Sequence, residues 1–259
     1  MKISCIQMDM QLGAVEENFA HAAALIRAAV DADQPDVVVL PETWNTGFFP
    51  QDLASCADRD GERTKAVFSA LAKELGVNIV CGSVANQRAD GFYNTAYVFD
   101  RAGAVVAEYD KTHLFTPSGE NGRFRPGAHT CRFTLDGISC GLIICYEIRF
   151  PELARAIALA GTDLLFVVAQ WPESRIMHLE TLARARAIEN QIFLALCNSV
   201  GAAGETRCGG HSAIIDPLGE YLAHAWDGEE TVTGTADFSV IEGIRSSINV
   251  FQDRRPELY

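Results

Sequence analysis

Short apolar runs with the composition of buried strands alternate with amphipathic segments along this chain of 259 residues. Residues 36–40, Asp-Val-Val-Val-Leu, have the β-branched composition of a strand covered on both faces. Val67, Leu71 and Leu75 lie near helical spacing and predict an amphipathic helix. The predicted strands are residues 2–8, 36–40, 77–83, 93–99, 104–110, 139–144, 163–169, 191–198, 211–216 and 231–237. The predicted helices are residues 16–31, 62–75, 151–160 and 173–190.

This alternation indicates two halves, each built from strands and helices. No Pro/Gly/Ser linker, low-complexity tract or short repeat separates them, so we expect one domain over residues 1–259. A chain of this length, with 48% hydrophobic residues, can bury a large core. The pattern predicts an α/β protein whose two sheets pack face to face with helices outside, a four-layer α-β-β-α sandwich.

The charge of the chain restricts its partners. A formal net charge of −13 argues against nucleic acid or an anionic membrane as the main partner, because phosphate binding needs a basic surface. A small anionic substrate remains compatible, since it needs only a local Arg or Lys. Residues 1–8 lack the apolar core of a signal peptide, and no stretch approaches the length of a membrane span. We therefore expect a cytoplasmic protein.

The eight cysteines do not form the pattern of a small disulfide scaffold. Five of them lie within or at the end of apolar strand-like runs: Cys5, Cys81, Cys140, Cys145 and Cys197. We expect free thiols in a reducing compartment. No Cys-x-x-Cys pair and no Cys/His cluster has zinc spacing, so no metal and no other cofactor is expected.

Three reactive side chains each follow a predicted strand. Cys145 comes directly after residues 139–144, and Glu42 and Lys111 also lie just past strand ends. Because ligands and chemistry gather at the carboxyl ends of strands in α/β sheets, we expect the three to converge. Attack of a thiolate on an amide or nitrile carbon needs a base and a cation near the developing oxyanion. Taken separately, each residue has an ordinary structural role: a buried apolar thiol, a turn cap and a surface charge.

The segments around these residues resemble those of the nitrilase superfamily of carbon–nitrogen hydrolases. The resemblance covers essentially the whole chain and rests on three blocks in the same order, Leu40-Pro41-Glu42, Tyr109-Asp110-Lys111-Thr112-His113-Leu114-Phe115 and Cys145-Tyr146-Glu147-Ile148-Arg149-Phe150-Pro151-Glu152-Leu153. It implies a thioester on Cys145 with Glu42 as general base. It also implies an oxyanion held by Lys111 and the Tyr146 backbone N–H, and a second active-site glutamate at Glu120. The family fold is the α-β-β-α sandwich, and its members usually pair helix face to helix face as homodimers.

The block that begins at Cys145 is similar to that of Nit-type ω-amidases, with Glu147 where Asp is commoner. It is less similar to the Cys-Trp-Glu of nitrilases or the Cys-Asn-Asp of carbamoylases. Residues 41–48 and 170–172 also resemble bacterial 2-oxoglutaramate amidases. The implied reaction is hydrolysis of the ω-amide of a short 2-oxo dicarboxylic acid, with release of ammonia. Action on deaminated glutathione, N-carbamoyl compounds or nitriles remains open, as do an acyltransferase or amidotransferase role and a non-enzymatic dimer module.

Three further side chains are predicted to line the substrate site. They are Tyr146, Arg149 and Trp171. Trp171 follows a predicted strand, which suits either an aromatic wall or core packing. Arg149 either forms a structural ion pair, for example with Glu152, or binds a substrate carboxylate through its planar fork. A residue of the 171–178 segment is the other candidate for the carboxylate partner.

Two other motifs suggest rival chemistry. A Cys-His protease would need a histidine partner, and His113 and His178 are the histidines nearest the site. His113 lies inside the lysine block, where the resemblance implies a packing role, and nothing marks the Asn or Asp partner of a protease dyad. The Gly-rich residues 207–212 lack the Lys-Ser/Thr ending of a phosphate loop and precede a strand, so a turn is predicted there.

Overall fold

The computed structural model describes residues 1–204 and 206–258. Within them the α-helices are α1 (Val15–Asp33), α2 (Leu53–Cys56), α3 (Glu62–Leu75), α4 (Pro151–Leu159), α5 (Ile176–Asn190) and α6 (Val240–Ser247). The strands there are β1 (Lys2–Gln7), β2 (Val37–Val39), β3 (Asp58–Arg59), β4 (Asn78–Arg88), β5 (Gly91–Phe99), β6 (Val105–Asp110), β7 (Cys131–Leu135), β8 (Ile138–Ile144), β9 (Leu164–Ala169), β10 (Phe193–Asn198), β11 (Val200–Ala203), β12 (Thr206–Gly209), β13 (Ala213–Ile215), β14 (Tyr221–His224) and β15 (Glu230–Thr235).

Two mixed sheets and one hairpin contain these strands. The first sheet has the order β15-β1-β2-β4-β5-β6, with β3 paired to β4, and the second has the order β14-β13-β10-β9-β8-β7. β1, β2 and β4 run parallel, as do β8, β9 and β10. β11 and β12 form a separate antiparallel hairpin. The parallel centres bring several strand carboxyl ends to one edge of each sheet, where α/β proteins place their binding sites.

The core consists of two layers that the β2 strand separates. Val37 and Val39 belong to the cluster between the two sheets, whereas Val38 packs with Phe19 of α1 and Phe68 of α3. This explains the unbroken β-branched run, because both faces of β2 are buried. Helices α4 and α5 cover the outer face of the second sheet. The predicted four-layer α-β-β-α sandwich is confirmed.

Some elements differ from the sequence prediction. The strands predicted at residues 77–83 and 93–99 belong to the longer hairpin of β4 and β5. β7 escaped prediction because it alternates buried and exposed residues at the edge of its sheet. β14, the β11–β12 hairpin and α6 were also missed. The turn predicted over residues 207–212 is wrong in its first half, which belongs to β12.

Two other expectations concern the cysteines and the membrane. The eight cysteines are free thiols, as predicted. No helix within residues 1–204 and 206–258 combines the length and the apolar composition needed to cross a bilayer.

Candidate active site

The carboxyl ends of β2, β6 and β8 bring Glu42, Lys111 and Cys145 together. Lys111 Nζ lies 2.8 Å from Glu42 Oε1, and neither side chain has exposed surface. Cys145 is 8% exposed. The charges of both Glu42 and Lys111 act on the pKa of the Cys145 thiol. The structure therefore assembles the three side chains that the sequence predicted to converge.

Glu42 is held by both sheets. The Asn94 side-chain amide donates to Glu42 Oε1 at 2.8 Å, and the Gln170 backbone N–H donates to Oε2 at 2.9 Å. The loop that carries Glu42 also passes close to Gly82, whose φ is +56°. A Cβ atom there would lie 1.9 Å from the Pro41 carbonyl oxygen, so a side chain at this position would displace the loop.

Lys111 lies between two carboxylates. Its Nζ is 3.0 Å from Glu120 Oε2 and 3.1 Å from Oε1, in addition to its contact with Glu42. Burial opposes the positive charge, but the two carboxylates outweigh it and raise the pKa of Lys111 above its usual value. Burial and the charge of Glu42 raise the pKa of Glu120, while Lys111 lowers it. Lys111 is therefore a fixed cation with a second glutamate behind it.

Cys145 opens a 3-10 helix, Cys145–Arg149, with a φ of +49°. A non-glycine residue in this region carries strain of about 1–3 kcal/mol, which structures keep mainly at functional sites. Burial raises the pKa of the thiol well above its ordinary value, the charge of Glu42 raises it further, and Lys111 lowers it. The Tyr146 N–H lies in the first helical turn, where backbone N–H groups have no partner within the helix. The arrangement thus offers a protonated thiol, an adjacent carboxylate and two oxyanion donors.

Glu147 has a structural role that the sequence did not predict. It is fully buried and accepts hydrogen bonds from the Ile144 N–H at 2.7 Å, the Tyr109 hydroxyl at 2.8 Å, and the Thr112 N–H and hydroxyl at 2.8 and 2.6 Å. Burial opposes its charge, but His113 and these donors lower its pKa below the ordinary value. Glu147 therefore connects the turn that carries Cys145 to the lysine segment. Its only sequence signal is a charge inside an apolar block.

His113 does not complete a protease dyad. Its ring stacks on Phe150 with the centroids 4.1 Å apart, and its Nδ1 lies 3.7 Å from Glu147 Oε1. These contacts agree with the packing role that the sequence indicated.

A cavity of ≈ 330 Å³ opens at the Cys145 thiol. Tyr146, Arg149 and Trp171 line it, as predicted, and so does Arg175, which belongs to the 171–178 segment but was not named individually from the sequence. Trp171 is 3% exposed, so it is both a packed residue and a wall of the cavity. The other lining residues are Leu12, Phe48, Phe49, Phe115, Ser118, Gln170, Pro172, Gly204 and Thr206.

Both arginines of the cavity pack on aromatic rings. The Arg149 guanidinium lies 4.6 Å from the Trp171 ring centroid, and that of Arg175 lies 5.7 Å from the Phe115 ring. Within the described part of the chain neither has a carboxylate partner, so the ion pair considered for Arg149 is absent there. Arg149 instead approaches His178 Nδ1 at 3.4 Å. The cavity therefore presents two guanidinium groups beside the thiol.

Comparison with known proteins agrees with this site. A family model described as carbon-nitrogen hydrolase matches residues 2–246. A 2-oxoglutaramate amidase of Bacillus subtilis is 40% identical over 257 residues, covering 99% of this chain and 98% of that protein. An omega-amidase of Homo sapiens is 32% identical over 267 residues, covering 97% and 95%. A CN-hydrolase superfamily protein of Xanthomonas campestris, solved with an arsenic adduct in its active site, is 31% identical with a TM-score of 0.91, covering 98% and 97%. The chain belongs to the carbon–nitrogen hydrolase family.

Proposed function

We propose that this protein is a thiol amidase that hydrolyses the ω-amide of a short 2-oxo dicarboxylic acid, with 2-oxoglutaramate as the first candidate. The observation that carries the proposal is a cavity lined by Cys145 and by two arginines that have no carboxylate partner among the described residues, with the buried Glu42–Lys111 pair behind the thiol. The similarity to a 2-oxoglutaramate amidase and an omega-amidase supports the same substrate class.

The first half of the reaction forms a thioester. Glu42 removes the thiol proton as Cys145 Sγ attacks the amide carbon, because the raised pKa of this thiol keeps it protonated at rest. The oxyanion of the tetrahedral intermediate is held by the Lys111 ammonium and the Tyr146 backbone N–H. Glu42 then returns the proton to the amide nitrogen, the C–N bond breaks, and ammonia leaves.

The second half hydrolyses the thioester. Glu42 removes a proton from a water molecule that attacks the acyl carbon, and the same two donors hold the new oxyanion. The C–S bond breaks, Cys145 regains the proton, and the carboxylic acid product leaves. Glu120 keeps Lys111 in place and charged through both steps, since its two oxygens contact Nζ.

The arginines supply selectivity for an anionic substrate. A 2-oxo acid ω-amide carries its carboxylate several bonds from the scissile carbon, and Arg149 and Arg175 reach the cavity on its aromatic walls. A planar guanidinium pairs with a carboxylate through two parallel hydrogen bonds. An uncharged amide of the same length would leave these groups without a partner, which lowers its transition-state binding.

The substrate assay is a comparison of kcat/KM for 2-oxoglutaramate and butyramide. We expect a preference of at least about a hundredfold for the 2-oxo acid amide, the scale of a lost buried charged hydrogen bond. Arg175→Leu and Arg149→Leu should reduce this preference without lowering the rate on butyramide. Arg207→Leu is the matched control, because Arg207 is exposed, pairs with Glu173 and does not line the cavity. Similar rates on the two amides, or a preference for a nitrile or N-carbamoyl substrate, would refute the assignment.

We also propose a homodimer that forms through the outer helices. Leu159, Met177 and Ile188 are 40%, 65% and 48% exposed on α4 and α5, which is consistent with an apolar surface covered by a second copy. Sedimentation equilibrium should give twice the chain mass, and Ile188→Glu with Met177→Glu should give monomers. A monomeric wild-type protein would contradict this.

We place the protein in the cytoplasm. The support is its eight free thiols, seven of which are buried between packed elements rather than arranged for disulfide pairing. Fractionation of cells that produce the protein should recover the amidase activity with cytoplasmic enzymes.

A further inference from the structure

A second cluster of polar side chains lies outside the cavity, where α5 meets the start of β13 and the end of β14. Glu180 Oε1 is 2.8 Å from His211 Nδ1 and 3.0 Å from His224 Nε2. The three atoms all lie within 4.8 Å of one another. None of these residues lines the cavity that contains Cys145.

The two imidazole rings are held in place by their surroundings. The His211 N–H donates to the Trp226 carbonyl, and the Ala225 N–H donates to the Ser212 carbonyl at 2.8 Å, so the two segments are joined. The Trp226 ring centroid is 5.5 Å from that of His211 and 4.7 Å from that of His224. The histidine side chains are only 15% and 13% exposed. The donor atoms therefore converge within an ordered part of the fold.

His211 faces a carboxylate on each side. Its Nε2 lies 3.2 Å from Asp227 Oδ1, while its Nδ1 faces Glu180. A neutral imidazole has only one N–H, so donation to Asp227 leaves a lone pair on Nδ1 directed at the Glu180 oxygen. This is the tautomer that metal binding needs, because the Nδ1 lone pair is then available to a cation that Glu180 also binds. A carboxylate on the outer ring nitrogen is also the usual means of orienting a metal-binding histidine.

We propose that Glu180, His211 and His224 bind one divalent transition-metal cation of the zinc or nickel class. Zinc bonds to nitrogen and carboxylate oxygen are about 2.0–2.2 Å long, which places tetrahedral donors roughly 3.4 Å apart. The two carboxylate–imidazole separations of 2.8 and 3.0 Å need to lengthen by only about half an ångström, and the three donor atoms already lie within 4.8 Å of one another. Two imidazoles favour zinc or nickel over calcium or magnesium, which prefer oxygen ligands.

The site has no short sequence motif. Glu180 is 31 positions from His211 and 44 from His224, so a search for zinc spacings does not find it. A bound cation would join α5 to the second sheet and fix the segment between the β11–β12 hairpin and β13. It takes no part in the amidase chemistry, for which no metal is expected.

The test is a titration of the full-length protein with Ni²⁺, followed by calorimetry and by tryptophan fluorescence. The Cys145→Ala background prevents binding at the active-site thiol. We expect one ion per chain, a higher melting temperature, and quenching of Trp226, which is 67% exposed and packs on His224. Trp226→Phe should bind Ni²⁺ while losing the quenching.

Two variants decide the ligand set. His224→Gln should weaken Ni²⁺ binding by at least about tenfold, whereas His21→Gln should not, because His21 is exposed and pairs with Glu229 elsewhere. If His224→Gln fails to fold, Asp227→Asn provides the same test from an exposed position, with a loss of about tenfold. Absence of saturable binding, or equal affinity in both histidine variants, would overturn the proposal. Amidase activity in the otherwise wild-type His224→Gln protein should be unchanged, which separates this site from the proposed function.

Discussion

Two buried glutamates near the nucleophile have opposite electrostatic surroundings. Glu120 belongs to the charge cluster formed with Glu42 and Lys111, and its pKa is raised by burial and by the charge of Glu42. Glu147 forms an anchor with uncharged donors and His113, and its pKa is lowered although burial opposes this. Both side chains have no exposed surface. Burial alone therefore does not decide the charge state, and the neighbouring groups do.

The two regions serve different purposes. The charge cluster buries two carboxylates against one ammonium, an arrangement that adds little stability but gives Cys145 a base and a cation. The Glu147 anchor satisfies one carboxylate with donors from the Ile144 backbone and the Tyr109–Thr112 segment. We infer that the cluster is retained for chemistry and that the anchor is retained to hold the nucleophile turn.

The largest expected effect is in the charge cluster and its thiol. Cys145→Ala should reduce amidase activity below about one per cent of the wild-type value, because no thioester can form. The free energy of unfolding should change by about 1 kcal/mol or less, since the change removes one small buried group. Steady-state kinetics and urea denaturation of the same sample measure both. Activity above that level would show that another group is the nucleophile.

The anchor should show the reverse pattern. Glu147→Ala leaves the Ile144 and Thr112 N–H groups and the Tyr109 hydroxyl without their acceptor, so we expect a loss of about 3–5 kcal/mol in the free energy of unfolding. Urea denaturation gives this value, with Glu152→Ala as an exposed control. A loss below about 1 kcal/mol in the free energy of unfolding would show that residues other than Glu147 hold the turn that carries Cys145.

Glu120→Gln should have a smaller effect that still separates the regions. Removing one of the two carboxylates relieves excess buried negative charge, which stabilises the fold. The new amide group has only one oxygen to accept hydrogen bonds from Lys111 and the Phe115 N–H, which destabilises it, so the free energy of unfolding should change by about 1 kcal/mol or less. We expect kcat to fall about tenfold, because Lys111 is less well held. A destabilisation as large as that of Glu147→Ala would remove the distinction between cluster and anchor.

The smallest effect concerns pH. Because the folded pKa of Glu147 lies below its ordinary value of 4.5, its stabilisation is present above that pH and is lost as the pH falls through the folded pKa. The stability difference between wild type and Glu147→Gln should therefore shrink between about pH 5 and pH 3. Glu120 has the opposite effect, because its pKa in the folded protein is raised and its contribution to the free energy of unfolding therefore falls as the pH rises. Urea midpoints across this range measure the difference, and a pH-independent difference would contradict the lowered pKa.

Much of the fold and the convergence of Glu42, Lys111 and Cys145 could be predicted from the sequence. Residues 36–42 show why, because a strand buried on both faces has an unbroken apolar pattern, and its end is then placed at the edge of the sheet where other strand ends converge. The edge strand β7 was missed since two of its five residues face solvent. Local sequence patterns therefore predict a strand correctly where both of its faces are buried.

Contacts between distant segments could not be predicted. Glu147 contacts the lysine segment only once the end of β6 packs against the turn that follows β8. The sequence around Glu147 gives no sign that the Tyr109 hydroxyl and the Thr112 N–H will be its donors. Arg175 lies in the cavity because the segment after β9 folds back over Phe115. The periodicity of apolar residues predicts which face of a single helix or strand is buried. The contacts of Glu147 and Arg175 depend instead on how separate helices, strands and loops pack together.

The most direct test of the account is Glu42→Gln, with kcat and the free energy of unfolding measured on the same preparation. We predict that kcat falls at least about a hundredfold through loss of the proton acceptor, while stability changes by about 1 kcal/mol or less. Lys111→Met is the control, because it leaves two buried carboxylates without their cation and should lose both activity and stability. A Glu42→Gln protein that keeps its activity but loses several kcal/mol of stability would contradict the claim that the charge cluster is retained for chemistry.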